Sequence, residues 1–396
     1  MSGEPVRLGV LGLGRAFTLM LPTFTRDGRV RLVAAFDPHE SATAAFARDF
    51  GGTAHVSPEA LCADPQVEWI YVATPHQMHA DHVELAAAHG KHVLVEKPMA
   101  LSMADCTRMI DACERAGTRL IVGHSHSFNA PVRLARNLIA SGRFGAVRLI
   151  QAMNFTDFLY RPRRPEELDT ARGGGVVFSQ AAHQVDIVRL LAGGLATSVY
   201  ARAGAWDPAR PTEGAYTALV DFAGGAVANL TYNGYGFYDS DAWMDGIGEM
   251  GRPKAPGAHQ ATRQKLMRAT DEAAEAAQKA QRNYGGNAYA PDASEPPPAF
   301  QHFGPVIVCC ERGDLRLTPT GVEVHDTQGV RFESEPVPAV PRSEVIDELW
   351  SVAREGSEPV HGGAWSRASL EVCLAILASH RSRAAIMLSE QVALPT

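Results

Sequence analysis

Lys97 follows a short apolar run, at a place where a lysine could transfer protons. The run Val93–Val95 is typical of a buried strand, and Glu96, Lys97 and Pro98 come directly after it. In sheets of parallel strands, functional groups gather at the carboxyl ends of the strands. A lysine partly withdrawn from water there has a lowered pKa and can act as a base near neutral pH. The alternative is an ordinary solvated lysine after a strand.

A glycine turn near the start of the chain predicts a dinucleotide site. The apolar strand Val6–Leu11 leads into two glycines, and a helical pattern follows. Glycines let the backbone approach a pyrophosphate, whose charge is met by the first amides of the helix. Phe17 replaces the third glycine of the usual fingerprint, so a simple tight turn is the alternative. The predicted contacts in this turn are Gly12, Gly14, Arg15, Ala16 and Phe17.

Asp37 predicts which dinucleotide is bound. It ends the second apolar strand, about 20 residues after the glycine turn, where a carboxylate can hold ribose hydroxyls. A carboxylate there repels a 2′-phosphate, so the sequence favours NAD. NADP is not excluded, because Arg15 could contact a phosphate.

The pattern around these motifs predicts an α/β first domain at residues 1–125. Short apolar runs alternate with helical patterns, which favours a Rossmann-type parallel sheet with helices on both faces. The predicted strands are Val6–Leu11, Val30–Phe36, Trp69–Ala73, Val93–Val95 and Leu120–Val122. The predicted helices include Ser41–Phe50, His76–His89 and Ser102–Ala116.

Residues 126–396 are predicted to form an α+β domain with an open, mainly antiparallel sheet. Glycine turns separate several of the apolar runs, as hairpins require. The candidate strands are Val147–Phe155, Ser198–Ala203, Thr217–Phe222, Ala226–Tyr232, Val306–Cys310 and Leu315–Thr318. Helices are predicted at Val176–Ala192 and Trp365–Met387, and residues 240–300 are predicted to be an inserted helical arm and loop.

Composition narrows the class of protein. A chain of 396 residues with 45% hydrophobic and 20% charged residues is typical of a two-domain globular protein. A net charge of −7 argues against a nucleic-acid binder, and no apolar run reaches the ~18 residues of a membrane span. Met1–Pro5 lacks the pattern of a signal peptide, and the six cysteines are scattered, so a reducing cytoplasm is expected.

Histidines raise the question of a metal site. His76, His79 and His82 are spaced three apart, but no carboxylate or thiolate nearby has ligand spacing, so polar histidines at a helix start are favoured and no metal is predicted. His124 and His126 follow the last predicted strand of the first domain. Either could face a pocket or lie in an ordinary loop.

Taken together, these motifs resemble the Gfo/Idh/MocA oxidoreductases. The resemblance rests on Glu96-Lys97-Pro98, on Thr74-Pro75 with His79, and on Gly173–Gly175 followed by His183 and Asp186. It implies a nicotinamide-dependent dehydrogenase in which Lys97 transfers a proton and His183 assists at the substrate. Asp186 is expected to orient His183 or a substrate hydroxyl. Further cofactor contacts are assigned to Thr74, Pro75, His76, His79, Glu96 and Lys97.

One departure from the family affects the substrate. The family usually has aspartate four residues before the histidine, whereas this chain has Ser179, followed by Gln180. A serine cannot act as a carboxylate base, although it can bind a substrate hydroxyl. The loss of a negative charge suits an anionic substrate.

A basic loop points the same way. Arg161, Arg163 and Arg164 lie close to aromatic residues, and guanidinium groups bind carboxylates in bidentate fashion. The alternative is a solvated loop paired with Glu166 and Glu167. With the segment around Ser179, this loop is similar to that of phthalate cis-dihydrodiol dehydrogenases, which implies oxidation of a carboxylated cis-dihydrodiol to a catechol.

The sequence leaves other functions open. A dehydrogenase of a sugar, cyclitol or sugar acid has the same fold, and an NAD-dependent glycosidase returns the hydride within one cycle. A non-catalytic dinucleotide-sensing protein is disfavoured by the presence of Lys97 and His183. An exposed sheet face predicts a homo-oligomer, either a dimer or a tetramer.

Overall fold

The first half of the chain forms a six-stranded parallel sheet. The computed structural model describes residues 3–255, 257–267, 271–290 and 295–395. The strands are β1 (Val6–Leu11), β2 (Val30–Phe36), β3 (Thr53–Ala54), β4 (Trp69–Val72), β5 (His92–Val95) and β6 (Leu120–Val122). Their order is β3-β2-β1-β4-β5-β6, and all neighbours are parallel. The order reverses between β1 and β4, and α/β sheets bind ligands at such a point.

Helices cover both faces of this sheet. They are α1 (Arg15–Arg26), α2 (Glu40–Phe50), α3 (Pro58–Cys62), α4 (His79–Ala88) and α5 (Met103–Ala116). β4 is apolar throughout and buried at every position, as expected of a strand packed on both sides. The hydroxyl of Ser102 caps α5 by accepting from the backbone amide of Asp105.

The second half forms a nine-stranded mixed sheet. Its strands are β7 (Val147–Phe155), β8 (Ala196–Gly204), β9 (Ala215–Phe222), β10 (Val227–Asn233), β11 (Val306–Cys310), β12 (Gly313–Thr318), β13 (Gly321–Asp326), β14 (Gly329–Glu333) and β15 (Ile386–Met387). The order is β14-β13-β12-β11-β7-β10-β9-β8-β15. β7 and β10 are parallel, and the other neighbours are antiparallel. The predicted fold class is confirmed.

The helices of the second half pack against both sheets. They are α6 (Ala130–Ala140), α7 (Ala182–Ala192), α8 (Ala258–Leu266), α9 (Glu272–Ala280), α10 (Ser343–Trp350) and α11 (Gly363–Ser382). α11 packs against β8 and α7. α10 returns to the first sheet, where Val345 and Leu349 share a buried cluster with Leu94 and Ile121. Within the described residues, no helix is both long and apolar enough to cross a membrane.

The C-terminal helix ends earlier than its pattern indicates. The sequence predicts a helix over Trp365–Met387, but α11 ends at Ser382. Arg383 then adopts a left-handed conformation with φ of 61°. The chain turns back, and Ile386 and Met387 pair with β8 as an edge strand.

The inserted segment reaches the first domain. The backbone amide of Tyr284 donates to the Thr18 hydroxyl at 2.9 Å, and the Tyr284 hydroxyl donates to Asp49 at 2.7 Å. The Tyr284 ring packs edge-on against Phe17, with ring centroids 5.4 Å apart. This anchor therefore joins the segment to both α1 and α2.

Arg189 fastens α7 to the C-terminal part of the chain. Its guanidinium is fully buried and lies 3.9 Å over the Trp365 ring. It donates to the Trp365 carbonyl at 2.9 Å and to the Ser369 hydroxyl at 2.8 Å. A further donation to Gln391, at 3.0 Å, ties in the chain end.

We expect Arg189→Met to lower the free energy of unfolding by about 3 kcal/mol, because it leaves several buried acceptors unpaired. Urea denaturation followed by circular dichroism measures the change. Arg115→Met, at an exposed position on α5, is the control and should change stability by less than about 0.5 kcal/mol. Equal stability of the two variants would contradict this role of Arg189.

Candidate active site

Lys97 bridges the two halves of the molecule. It follows β5 at the carboxyl edge of the parallel sheet, and its Nζ donates to the carbonyl of Ser179 at 2.7 Å. Ser179 lies in the π-helical turn Val177–Ala181, which leads into α7. The amine is therefore held in the cleft between the two sheets.

The surroundings of Lys97 weaken its hold on a proton. Burial lowers the pKa of Lys97 to about 8, although the negative charges of Glu96 and Glu249 oppose this shift. Glu96 is buried and accepts a hydrogen bond from the hydroxyl of Tyr71, and burial raises the pKa of this carboxyl. Lys97 can thus exchange a proton close to neutral pH.

His183 is a neutral donor in the same cleft. Burial and the nearby charge of Lys97 lower the pKa of His183 well below its usual value. Its Nδ1 accepts from the backbone amide of His126 at 3.4 Å, so its proton lies on Nε2. The His183 ring packs against Phe303, with centroids 5.0 Å apart. An imidazole in this state can donate a hydrogen bond to a substrate oxygen.

His126 is fixed by two partners. Asn129 Nδ2 lies 2.9 Å from His126 Nδ1, so His126 donates from Nε2 to Glu249 at 3.3 Å. Burial lowers the pKa of His126, which is neutral. For Glu249, burial favours the protonated form, but His126, Arg161 and Arg342 outweigh it and hold the pKa far below the usual range. Glu249 is therefore an anion in the cleft.

Asp186 has structural partners. One carboxylate oxygen accepts from Trp365 Nε1 at 2.6 Å and from the Ser369 hydroxyl at 3.2 Å. The other accepts from the Ser127 hydroxyl. Asp186 is expected from the sequence to orient His183 or a substrate hydroxyl, but in the structure its carboxylate accepts from these three donors. The helical spacing of His183 and Asp186 places them on one face of α7 but does not determine which groups the Asp186 carboxylate binds.

Ser179 and Gln180 face different partners. The Ser179 hydroxyl donates to the carbonyl of Gly175, one turn earlier, while its own carbonyl accepts from Lys97. Gln180 accepts from the hydroxyl of Tyr232 at 3.2 Å. Ser179 therefore contributes its backbone to the cleft, and Gln180 lies beside a buried tyrosine.

Two arginines of the basic loop are occupied by the loop itself. Arg163 lies 3.6 Å over the Phe158 ring and donates to the Phe158 carbonyl at 2.6 Å. Arg164 pairs with Glu166 at 3.1 Å and with Glu167 at 3.5 Å. The pairing of Arg164 matches the alternative of a loop paired with Glu166 and Glu167, whereas Arg163 is buried and not solvated.

Arg161 differs from its two neighbours in the loop. It pairs with Asp157 at 2.9 Å, and its Nη1 lies 4.0 Å from Glu249. Of the three predicted arginines, Arg161 reaches Glu249, whereas the charge of Arg163 acts on Lys97 itself.

The glycine turn fits a dinucleotide. Gly12 has a φ of 93°, and a Cβ there would lie 2.8 Å from the carbonyl of Ala73. A Cβ on Gly14 would meet nothing within 4 Å, so the turn opens onto free space at the start of α1. The Asp37 carboxylate accepts from the backbone amide of Leu13 at 2.7 Å and stands beside the turn. Together these groups could bind a pyrophosphate and a ribose.

The other predicted contacts of the turn differ in exposure. Arg15 is exposed at the start of α1, and Ala16 is half-buried. Phe17 is fully buried and packs on Tyr284, so its side chain belongs to the core. Its ring occupies the position of the missing third glycine without facing the open side of the turn.

His79 joins the turn after β4 to the turn after β5. It is fully buried, and its ring nitrogens lie 2.9 Å from the carbonyl of Thr74 and 3.1 Å from that of Pro98. His76 and Pro75 are half-buried next to it, and burial lowers the pKa of His76 to about 3. In the described part of the chain, no group of three metal-binding side chains is arranged to hold an ion.

Four residues of the cleft were not found from the sequence. Tyr71 binds Glu96 from within β4, Tyr232 lies beside Gln180, and Glu249 and Arg342 come from distant segments. Arg342 is buried and donates to Gln301 at 3.1 Å. The tyrosines follow strand patterns that indicate core positions. Nothing in the sequence around Glu249 or Arg342 predicts a site.

Comparisons with known proteins match both halves of the chain to one family. A model described as an oxidoreductase family with an NAD-binding Rossmann fold matches residues 6–124, and a GFO/IDH/MocA C-terminal domain model matches residues 132–252. The chain is 47% identical over 373 residues, 94% of each chain, to the 1-carboxy-3-chloro-3,4-dihydroxycyclohexa-1,5-diene dehydrogenase of Comamonas testosteroni.

Solved structures show the same architecture. A proposed dehydrogenase from Bordetella bronchiseptica RB50 is 37% identical, with a TM-score of 0.91 over 97% of this chain and 100% of that one. The WlbA dehydrogenase of Bordetella pertussis, solved with NADH and UDP-GlcNAcA, is 23% identical with a TM-score of 0.68 over 97% and 99%, which shows the fold alone. The chain belongs to the Gfo/Idh/MocA family of nicotinamide-dinucleotide-dependent oxidoreductases.

Proposed function

We propose that this oxidoreductase oxidises one carbinol of a carboxylated cis-dihydroxycyclohexadiene, of the phthalate type or a close analogue, to give a catechol. The observation that carries the proposal is the pairing of Lys97, with its lowered pKa, and neutral His183 in one cleft beside the dinucleotide turn. The substrate class is supported by the Comamonas testosteroni relative, whose name specifies a carboxylated dihydroxycyclohexadiene.

In this mechanism, Lys97 acts as the base. A nicotinamide held at the glycine turn would supply the hydride acceptor for the carbinol carbon. The neutral amine of Lys97 takes the hydroxyl proton, and the Ser179 carbonyl holds the ammonium that forms. His183 donates from Nε2 to a substrate oxygen and so orients the carbinol carbon. The adjacent ring carbon then loses its proton and the new carbonyl oxygen gains one, so this tautomerisation yields the catechol.

Arg161 is the proposed partner of the substrate carboxylate. It lies at the cleft with 43% of its side chain exposed, whereas the Arg163 side chain is 10% exposed and held by its own loop. A carboxylated ring could therefore reach Arg161 without disrupting the loop.

NADH formation at 340 nm with three substrates tests the proposal: a carboxylated cis-dihydrodiol, the same diol without the carboxylate, and myo-inositol. We expect kcat/KM for the first to exceed that for the other two by ~10²-fold, because one charge-assisted hydrogen bond contributes about 2–3 kcal/mol. A preference for myo-inositol would support a cyclitol dehydrogenase instead.

We expect Lys97→Met to lower kcat by ~10²-fold or more without weakening NADH binding. In the unmutated protein, kcat/KM for oxidation should fall about tenfold per pH unit as the pH drops below about 8, since protonated Lys97 cannot accept a proton. Lys265→Met, on the exposed side of α8, is the control. Unchanged turnover of the Lys97 variant would remove this lysine from the mechanism.

NAD is the proposed cofactor, because the Asp37 carboxylate disfavours a 2′-phosphate.

We expect Gly12→Ala to weaken NADH binding at least ~10-fold, since the new Cβ strains a turn with positive φ and meets the Ala73 carbonyl. Gly28→Ala enters open space and is the control. Fluorescence titration with NADH and NADPH measures both effects, and tighter binding of NADPH would contradict the choice of NAD.

A homo-oligomer formed through the outer sheet face is also proposed. Tyr200 and Leu219 are paired neighbours on this face, and Leu149 and Ile307 lie on strands farther along the sheet, all with exposed side chains. Leu219→Glu should yield monomers in light scattering, whereas Val56→Glu, which is exposed on the first domain, should not. A Leu219→Glu protein of unchanged mass would place the interface elsewhere.

A further inference from the structure

The segment predicted as an insertion brings a carboxylate into the active-site cleft. Glu249 Oε1 lies 3.3 Å from His126 Nε2, and its Oε2 lies 4.0 Å from Arg161 Nη1. Its backbone carbonyl accepts from the amide of His302 at 3.2 Å, which fixes the chain at this point. The Glu249 side chain is 31% exposed, so it remains accessible from the cleft.

Glu249 is linked by hydrogen bonds to His126 and, through His126, to His183. Its carboxylate accepts the Nε2 proton of His126, and Asn129 occupies the other ring nitrogen. The backbone amide of His126 donates to Nδ1 of His183, and the two rings are 4.8 Å apart. The orientation of His183 therefore depends on the loop that Glu249 holds.

Ser179 provides no negative charge to balance an ammonium on Lys97. Its hydroxyl is turned to the carbonyl of Gly175. The carboxylates that favour the charged form of Lys97 are Glu96 and Glu249. Glu96 belongs to the first domain and accepts a hydrogen bond from Tyr71. Glu249 comes from the inserted segment and contacts His126 and Arg161.

We propose that Glu249 is a positioning residue for the reaction. It fixes the His126 loop against His183 and supplies the negative charge that stabilises the ammonium of Lys97, a charge that Ser179 cannot provide. The proposal rests on the proposed function, in which Lys97 is the base.

The charges around Lys97 come from several elements. Glu96 follows β5, and Glu249 comes from the segment after β10. Positive charge comes from Arg163 in the loop after β7 and from Arg342 before α10, and both disfavour the ammonium. Neutral His76, His124 and His183 and the thiol of Cys373 also lie within electrostatic range of Lys97. Removal of Glu249 leaves Glu96 as the carboxylate opposing these cations.

Glu249→Gln is the decisive variant, because it keeps the size and an acceptor oxygen but removes the charge. We expect the acid limb of the kcat/KM profile, near pH 8 in the unmutated protein, to move to lower pH by about one unit. kcat should also fall severalfold. Glu272→Gln removes an exposed carboxylate of the same segment and should leave the profile unchanged. An unshifted limb with normal kcat in Glu249→Gln would overturn the proposal.

A second readout does not require turnover. The rate at which acetic anhydride acylates Lys97, resolved by peptide mass spectrometry across a pH series, reports the pKa of this amine directly. The midpoint should be lower in Glu249→Gln than in the unmutated protein. If no diol is oxidised but the midpoint shifts, the proposed substrate fails and the electrostatic role of Glu249 holds.

Glu249→Asp covers the case in which the glutamine variant does not fold. The charge is kept but retracted by one methylene, so the acid limb should stay within ~0.3 pH units of the unmutated value. Because the hydrogen bond to His126 lengthens, kcat should fall severalfold at every pH. Full activity of Glu249→Asp would contradict the positioning of His126 by Glu249.

Discussion

The withdrawal of one ammonium group from water governs the arrangement of the cleft. Lys97 lies in the cleft between the two sheets, where burial favours its neutral form. The Ser179 carbonyl accepts a hydrogen bond from its amine. β5 sets the position of its backbone, and the π-helical turn before α7 sets the position of that acceptor. If either element moved, the amine would regain water and its pKa would rise toward that of a free lysine.

The histidines of the cleft are consistent with this constraint. His124, His126 and His183 are buried, and all three have lowered pKa values. Neutral imidazoles donate and accept hydrogen bonds without adding positive charge next to Lys97. The negative charge comes from Glu96 and Glu249, which approach from opposite halves of the molecule. The cleft thus combines two carboxylates, neutral imidazoles and the guanidinium groups of Arg161, Arg163 and Arg342.

The sequence predicted what local patterns encode. The strand before Lys97, the turn at Gly12 and the helix of His183 all carry signals within a few residues, and the structure has these elements at the expected places. The partner of Asp186 was not predictable, because helical spacing defines a face but not the side chain opposite it. The pairing of Arg164 with Glu166 and Glu167 is local, and the sequence offered it as the alternative to carboxylate binding without deciding between the two. The entry of Glu249 into the cleft depends on a contact between distant segments.

Tyr284 links the inserted segment to the first domain. Its ring packs on Phe17 of α1 and its hydroxyl binds Asp49 of α2, while Glu249 of the same segment holds His126 at the cleft. One stretch of chain therefore contacts both the helices beside the glycine turn and the groups around Lys97, so a substitution in it can alter the surroundings of both.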